Sequence, residues 1–176
     1  MPKTVNGKVS TTFDSYHVGI AAESFAAGLL AHAGYEVLVQ YGANQPLYDL
    51  VAVKGKRILK VSVKGSSDGD WGLIQNFLTG EVRGDKYHKA ADEWLIKHGS
   101  DTVFVFVQFL GVALGQMPEF FVARADAVGI QLKSAKNKTG DSVLRRNHTW
   151  TRGIAKGCTD TIPQSWKFTQ ERIDSV

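Results

Sequence analysis

Apolar residues fall at two different spacings along the chain. Over residues 15–33, Val18, Ala22, Phe25, Ala26, Leu29 and Ala33 recur three and four apart, which is the period of one helix face. Asp14 or Ser15 can cap the start of this helix and Gly34 can end it. Glu23 lies at the edge of the stripe, beside Gly19 and Leu30. A second helix is predicted over residues 85–98 from the stripe Tyr87, Ala90, Ala91, Trp94 and Leu95, closed by Gly99. Elsewhere the pattern shortens to β-branched and apolar runs at 35–41, 47–53 and 58–63, which read as strands. The run TVFVFVQF at 102–109 is nearly all apolar, as expected of a strand buried on both faces. Residues 119–123 form a further short strand, and 124 to about 136 a third helix weakened by Gly129. The first 13 residues read as a polar arm, and 42–46 as a loop. The order is α-β-β-β-α-β, then β-α, a mixed sheet flanked by helices.

The stretch YDLVAVKGKRILKVSVKG, residues 48–65, carries the most chemistry. Lys54-Gly55-Lys56 separates two strands and suits a hairpin turn. If Gly55-Lys56 is a two-residue turn, Lys54 opposes Arg57 and Asp49 stands across from Ser62. Lys64, two residues on, points to the same face, diagonal to Asp49. Leu50, Ala52, Leu59, Val61 and Val63 then share the opposite face as a core surface. A one-residue change in the turn breaks this register unless a bulge restores it. A strand carboxylate can hold a hard divalent cation such as Mg²⁺, and a nearby lysine can orient an attacking water or stabilise charge on a phosphate. The competing reading is an ordinary hairpin whose wet face carries an acid and a lysine.

These elements together resemble the PD-(D/E)XK nuclease superfamily, the restriction-endonuclease-like fold that includes Holliday-junction resolvases and many restriction enzymes. The residues that carry the resemblance are Gly19, Glu23, Leu30, Gly34-Tyr35-Glu36-Val37, Pro46-Leu47-Tyr48-Asp49-Leu50 and Val61-Ser62-Val63-Lys64-Gly65. They span roughly residues 15–66, with a looser fit to about 123. The resemblance implies an α/β fold with an αβββαβ core and a mixed sheet flanked by helices. It implies that Asp49 is the metal-binding acid, Lys64 the signature lysine, and Glu23 the acid of the first helix found in resolvase-like branches. The Val63 carbonyl would be a further ligand for Mg²⁺ or Mn²⁺. Ser62 departs from the pattern, standing where the family usually has Glu, Asp or Gln. A hydroxyl is a weak, neutral ligand. Either Glu23 supplies the missing carboxylate, with Ser62 holding a water, or the site is degenerate and binds without cutting. The implied activity is metal-dependent endonucleolytic cleavage of DNA. The alternative is a catalytically degenerate DNA-binding or subunit-interaction protein of the same fold.

Composition adds bounds. The chain has 176 residues, 43% hydrophobic and 22% charged, which is ordinary for one globular domain. No run of about 18 apolar residues is present, so no membrane span is expected. The start of the chain lacks the apolar core of a signal peptide. The single cysteine, Cys158, can form neither an internal disulfide nor a cysteine zinc site. A cytoplasmic, intracellular protein is expected. The net charge of +4 is compatible with a polyanion partner. From about residue 133 the chain becomes a basic, loop-rich extension of that single domain. Lys133, Lys136, Lys138, Arg145, Arg146, His148 and Arg152 are its candidate DNA contacts, with Trp150 and Trp166 interleaved. In the irregular stretch 65–84, Trp71 is the candidate platform for a base. The competing reading packs Trp71, Trp150 and Trp166 onto the core. Many relatives in the family act as dimers to cut both strands. A homodimer is therefore carried as an expectation, although the sequence shows no interface signature.

Overall fold

The computed structural model describes residues 14–39, 47–78 and 85–176. The polar arm, the 42–46 loop and Arg83 lie outside the described residues. Helix α1 spans Ser15–His32. The Asp14 side chain accepts a hydrogen bond from the His17 N–H at 3.0 Å, so Asp14 is the cap. Strands β1 (Glu36–Val39), β2 (Leu50–Lys54) and β3 (Arg57–Ser66) follow. Then come β4 (Asp70–Gly72), helix α2 (Lys86–His98), β5 (Val103–Gln108), β6 (Glu119–Arg124) and helix α3 (Ala125–Lys138). The chain closes with three-residue strands β7 (Val143–Arg145), β8 (Asn147–Thr149) and β9 (Thr159–Thr161), and a short helix α4 (Gln170–Ser175).

The main sheet has the order β1-β2-β3-β5-β6. All its neighbours are antiparallel except β3 and β5, which run parallel, with α2 in the connection between them. The sheet is mixed and helices cover it, in the αβββαβ order expected from the sequence. Two apolar layers result from the alternation of strand side chains. On one side Val61, Val63, Val103, Val105 and Val107 pack with Ala22, Ala26 and Leu30 of α1 and Ile173 of α4. On the other, Phe104, Phe106 and Phe121 pack with Trp94 of α2, Val128 and Leu132 of α3, and Trp71. All of β5 is buried, as its apolar run requires.

Two expectations are refined. The apolar stripe of α1 is centred on Val18, Ala22, Ala26 and Leu30, with Leu29 only partly buried. The helix is thus rotated toward Leu30, which also turns Glu23 toward the sheet. Helix α3 starts at Ala125, as its apolar period demands, but loses helical geometry at Ala135 (ψ 161°). Lys136, Asn137 and Lys138 then take positive φ of 51°, 56° and 68°. Among the described residues, no helix is long and apolar enough to cross a membrane.

Candidate active site

The hairpin β2–β3 sets the site. Gly55 takes φ +62°, and Lys54 pairs with Arg57 across the Gly55-Lys56 turn. From that turn the register runs without a bulge to Leu50↔Val61. Beyond Leu50 the Asp49 N–H donates to the Val61 carbonyl at 2.8 Å, and the Asp49 side chain meets Ser62. Its Oδ2 accepts from the Val63 N–H at 2.6 Å and from the Ser62 hydroxyl at 3.3 Å. Ser62 is only 1% exposed, so its hydroxyl is committed to this carboxylate. A glutamate at that position would set a second negative charge against Oδ2. The serine donates instead, to Oδ2.

A strand residue's N–H and C=O point the same way. The Val63 carbonyl therefore faces the same gap as its N–H, toward Asp49. Strand β2 begins only at Leu50, past the position opposite Val63, so the gap lies where the two strands part. Glu23 reaches this region from α1. Burial pushes its carboxyl above the ordinary range, the negative charge of Asp49 pushes it further, and the Lys64 ammonium pulls it back. Glu23, Asp49 and Lys64 thus share one electrostatic environment. Lys64 itself is half-buried on β3, beside Phe106 of β5.

The structure adds a residue that sequence reasoning missed. His98, the last residue of α2, packs its ring 4.8 Å from Trp94 and 5.2 Å from Phe104, centre to centre. Burial lowers its pKa most. The Lys64 and Lys97 charges lower it further, against the Leu47 carbonyl and Asp49, which raise it. Its Nδ1 is buried without a hydrogen-bond partner. The neutral imidazole therefore sits in the field of Asp49 and Lys64. No local spacing announces this. The parallel β3–β5 pairing places Phe104 next to Ser62, and the end of α2 comes with it.

The candidate DNA-contacting residues are dispersed differently. Trp71 is corrected: it is 2% exposed, and its ring lies edge-on to Phe106 at 5.3 Å and Phe121 at 6.3 Å. Protein covers the faces a base would need. Four cations are engaged by carboxylates. Lys133 bonds Asp92, Lys136 bonds Asp141 at 3.0 Å, and Arg146 bonds Glu119 at 2.5 Å. Arg145 bonds both Asp70 at 2.5 Å and Asp141 at 3.1 Å. His148 is half-buried and meets Trp150 edge-on at 4.4 Å. Lys138 and Arg152 are exposed and outside these ion pairs. None of these residues adjoins Asp49 in the hydrogen-bond network.

Among the described residues, no group of three or more histidine, cysteine, aspartate or glutamate side chains is placed to hold a metal ion. The oxygen donors to which the sequence pointed are the carboxylates of Glu23 and Asp49 and the Val63 carbonyl. Oxygen donors of this kind suit Mg²⁺ or Mn²⁺ rather than a softer ion. The upward push of Asp49 on Glu23 is the repulsion that a shared cation would relieve.

No protein-family model matches this chain. No curated protein matches it either. Among solved structures it is similar to I-Ssp6803I, a bacterial homing endonuclease, at 19% identity and a TM-score of 0.37 over 65% of this chain and 67% of that one. It is also similar to Hjc, a Holliday junction resolvase of Archaeoglobus fulgidus, at 17% identity and a TM-score of 0.37 over 61% of this chain and 78% of that one.

Proposed function

We infer that the chain is a metal-dependent DNA endonuclease of the restriction-endonuclease-like class. The observation that carries this reading is the Asp49 carboxylate, fixed by the Val63 N–H and Ser62 hydroxyl in the same field as Glu23 and Lys64. Glu23, Asp49 and the Val63 carbonyl would hold Mg²⁺ or Mn²⁺. The ion would supply Lewis-acid polarisation of the phosphate and neutralise charge building on it.

The residues of the chain do the rest. The two hydrogen bonds on Oδ2 fix the rotamer of Asp49, so no reorganisation is needed when substrate arrives. The Lys64 ammonium donates to the attacking water and aligns it with the scissile phosphorus. The water loses a proton to solvent as its oxygen bonds to phosphorus, the opposite P–O bond breaks, and the leaving oxygen takes a proton from solvent. His98, whose pKa burial lowers most and the Lys64 charge lowers further, adds no competing positive charge. In this reading residues 1–176 form one nuclease-like domain, with the stretch from about 133 as its extension. One such site per chain would make a homodimer the way to cut both strands of a duplex.

The test is a panel of end-labelled duplex, single-stranded and branched DNAs incubated with Mg²⁺, Mn²⁺ or EDTA. The unaltered chain is expected to cut in metal and not in EDTA, and Lys64→Ala to lose at least a hundredfold in rate. Equal cutting by the two proteins would remove Lys64 from the mechanism.

A second reading is favoured by one observation, the buried neutral Ser62 where an acid would stand. In it the fold binds DNA, or a partner subunit, without cutting. Ser62→Gln and Ser62→Glu separate the two. Cleavage gained only in those variants assigns a dormant site.

A further inference from the structure

The β8–β9 ribbon belongs neither to the main sheet nor to the β4–β7 pair. Its register runs from Asn147↔Thr161 to Thr149↔Thr159. The tip beyond it is ordered by its own hydrogen bonds. The Trp150 N–H donates to the Cys158 carbonyl at 2.9 Å, and the Gly157 N–H to the Trp150 carbonyl at 2.8 Å.

The base of the ribbon is clamped. Trp150 Nε1 donates to Asp160 Oδ2 at 2.6 Å, and the same oxygen accepts from the Lys136 N–H at 3.0 Å. The Lys136 ammonium lies 4.5 Å, and the Arg145 guanidinium 5.3 Å, from the centre of the Trp150 ring. The clamp uses backbone strain, because three successive non-glycine residues, Lys136 to Lys138, hold positive φ. Such conformations persist where the surroundings over-determine them, and they gather at functional surfaces.

Beyond the clamp Thr151-Arg152-Gly153-Ile154 and Lys156 are exposed, while Ala155 between them is buried and seats the turn. Ile154 is 75% exposed, with a cation two residues to either side. From Asn147 to Thr161 the acid is Asp160, already bonded in the clamp, while Arg152 and Lys156 make no ion pair among the described residues. A stiff ribbon with an aliphatic tip between two unneutralised cations is complementary to a polyanion that offers an apolar cleft. The minor groove between two phosphate rows has that form.

The geometry points to a duplex-DNA contact made by the β8–β9 tip: Arg152 and Lys156 sit on the phosphates that flank the minor groove, and Ile154 enters it as a wedge that kinks the duplex. The inference rests on the DNA-binding reading above and adds to it the element and the groove. It also places this contact apart from the Asp49 gap. The carboxylates that neutralise Lys133, Arg145 and Arg146 then belong to the scaffold that carries the ribbon.

The test is binding of the full chain to a fluorescent duplex of about 30 base pairs, in EDTA so that nothing is cut, over a salt series. The same duplex, labelled at both ends, reports bending by energy transfer. The side chains changed are exposed, so the fold is not at stake. Arg152→Gln with Lys156→Gln is expected to lower the steepness of log K against log salt by about two, and to weaken binding at least tenfold near 0.1 M salt. Ile154→Ser is expected to keep that steepness and lose the bend. An unchanged salt slope in the double variant, or an unchanged bend in Ile154→Ser, overturns the inference alone. No salt-dependent binding by the unaltered chain overturns it together with the DNA reading.

Discussion

Ser62 decides how the carboxylates of the site are distributed. Its hydroxyl donates to Asp49, and in the proposed metal site the second carboxylate would come from Glu23 of α1. Burial first, and then the negative charge of Asp49, raise the Glu23 carboxyl above its ordinary pKa. A carboxyl raised in the folded state binds more protons there than in the unfolded chain, so stability falls as pH rises from the ordinary range through the raised value. Below that window both states are protonated and nothing is lost. Glu23→Gln is therefore expected to melt above the unaltered chain at about pH 7.5 and level with it at about pH 3.5. Millimolar Mn²⁺ should reverse the order at neutral pH, because only the chain with both carboxylates gains from binding the ion. A variant that gains as much from Mn²⁺ as the unaltered chain would take Glu23 out of the donor set. The contact of Asp49 with Ser62 was legible in the sequence because a two-residue turn lets the register be counted outward as far as Leu50. Trp71 was not, since an apolar residue in an irregular stretch has no period to show which way it faces. His98 was not, because long-range pairing alone brings it to Lys64.

At the scale of elements, the contact between α1 and β3 governs the site. Gly65 has no side chain, and a Cβ there would lie 2.8 Å from both Val18 Cγ1 and the Val18 carbonyl oxygen, and 2.9 Å from Ala22 Cβ. The helix thus sits flush on the strand at the residue after Lys64, with Glu23 next to Ala22. Gly65→Ala must lift α1, at a cost of about 1–3 kcal/mol in stability. The larger effect is expected on activity. A displacement near 1 Å between Glu23 and Lys64 should lower the cleavage rate on the order of a hundredfold, at a temperature where the variant is still folded. Denaturation and cleavage followed side by side check this, and equal losses in both would show that helix position does not matter to the chemistry. Periodicity found α1, α2, β5 and the hairpin because each buries a long, regular face. It missed the pairs β4–β7 and β8–β9, whose three-residue strands are too short to show alternation. It also let α3 run through Ala135, since three left-handed residues leave no mark in the hydrophobic pattern.

Across the whole molecule, the sheet separates two apolar layers, and Asp49 stands where the regular β2–β3 pairing ends between them. The C-terminal stretch, expected as a basic extension, also completes both layers. Ile162 and Trp166 are buried with the Phe106 side, and Ile173 and Val176 with the α1 side. Charge and loop composition hid this, because few of those residues are apolar and they fall at no regular spacing. Arg57 fastens the end of the chain to the turn end of the hairpin. It donates to the Tyr35 hydroxyl at 3.0 Å and the Asp174 carbonyl at 2.9 Å, and it also bonds the main-chain oxygen of Val176. That turn is the end of the hairpin remote from Asp49. The anchorage should therefore support the fold without entering the chemistry. Ile173→Ala removes a fully buried side chain from the α1 layer, and is expected to cost about 2–4 kcal/mol in chemical denaturation. Cleavage per folded molecule, measured well below the new midpoint, should stay within about twofold, since the Asp49 gap keeps all its hydrogen bonds. A steep loss of cleavage at unchanged folded fraction would instead mean that α4 is coupled to the site through the hairpin, and the two ends of β2–β3 would then have to be treated as one mechanical unit.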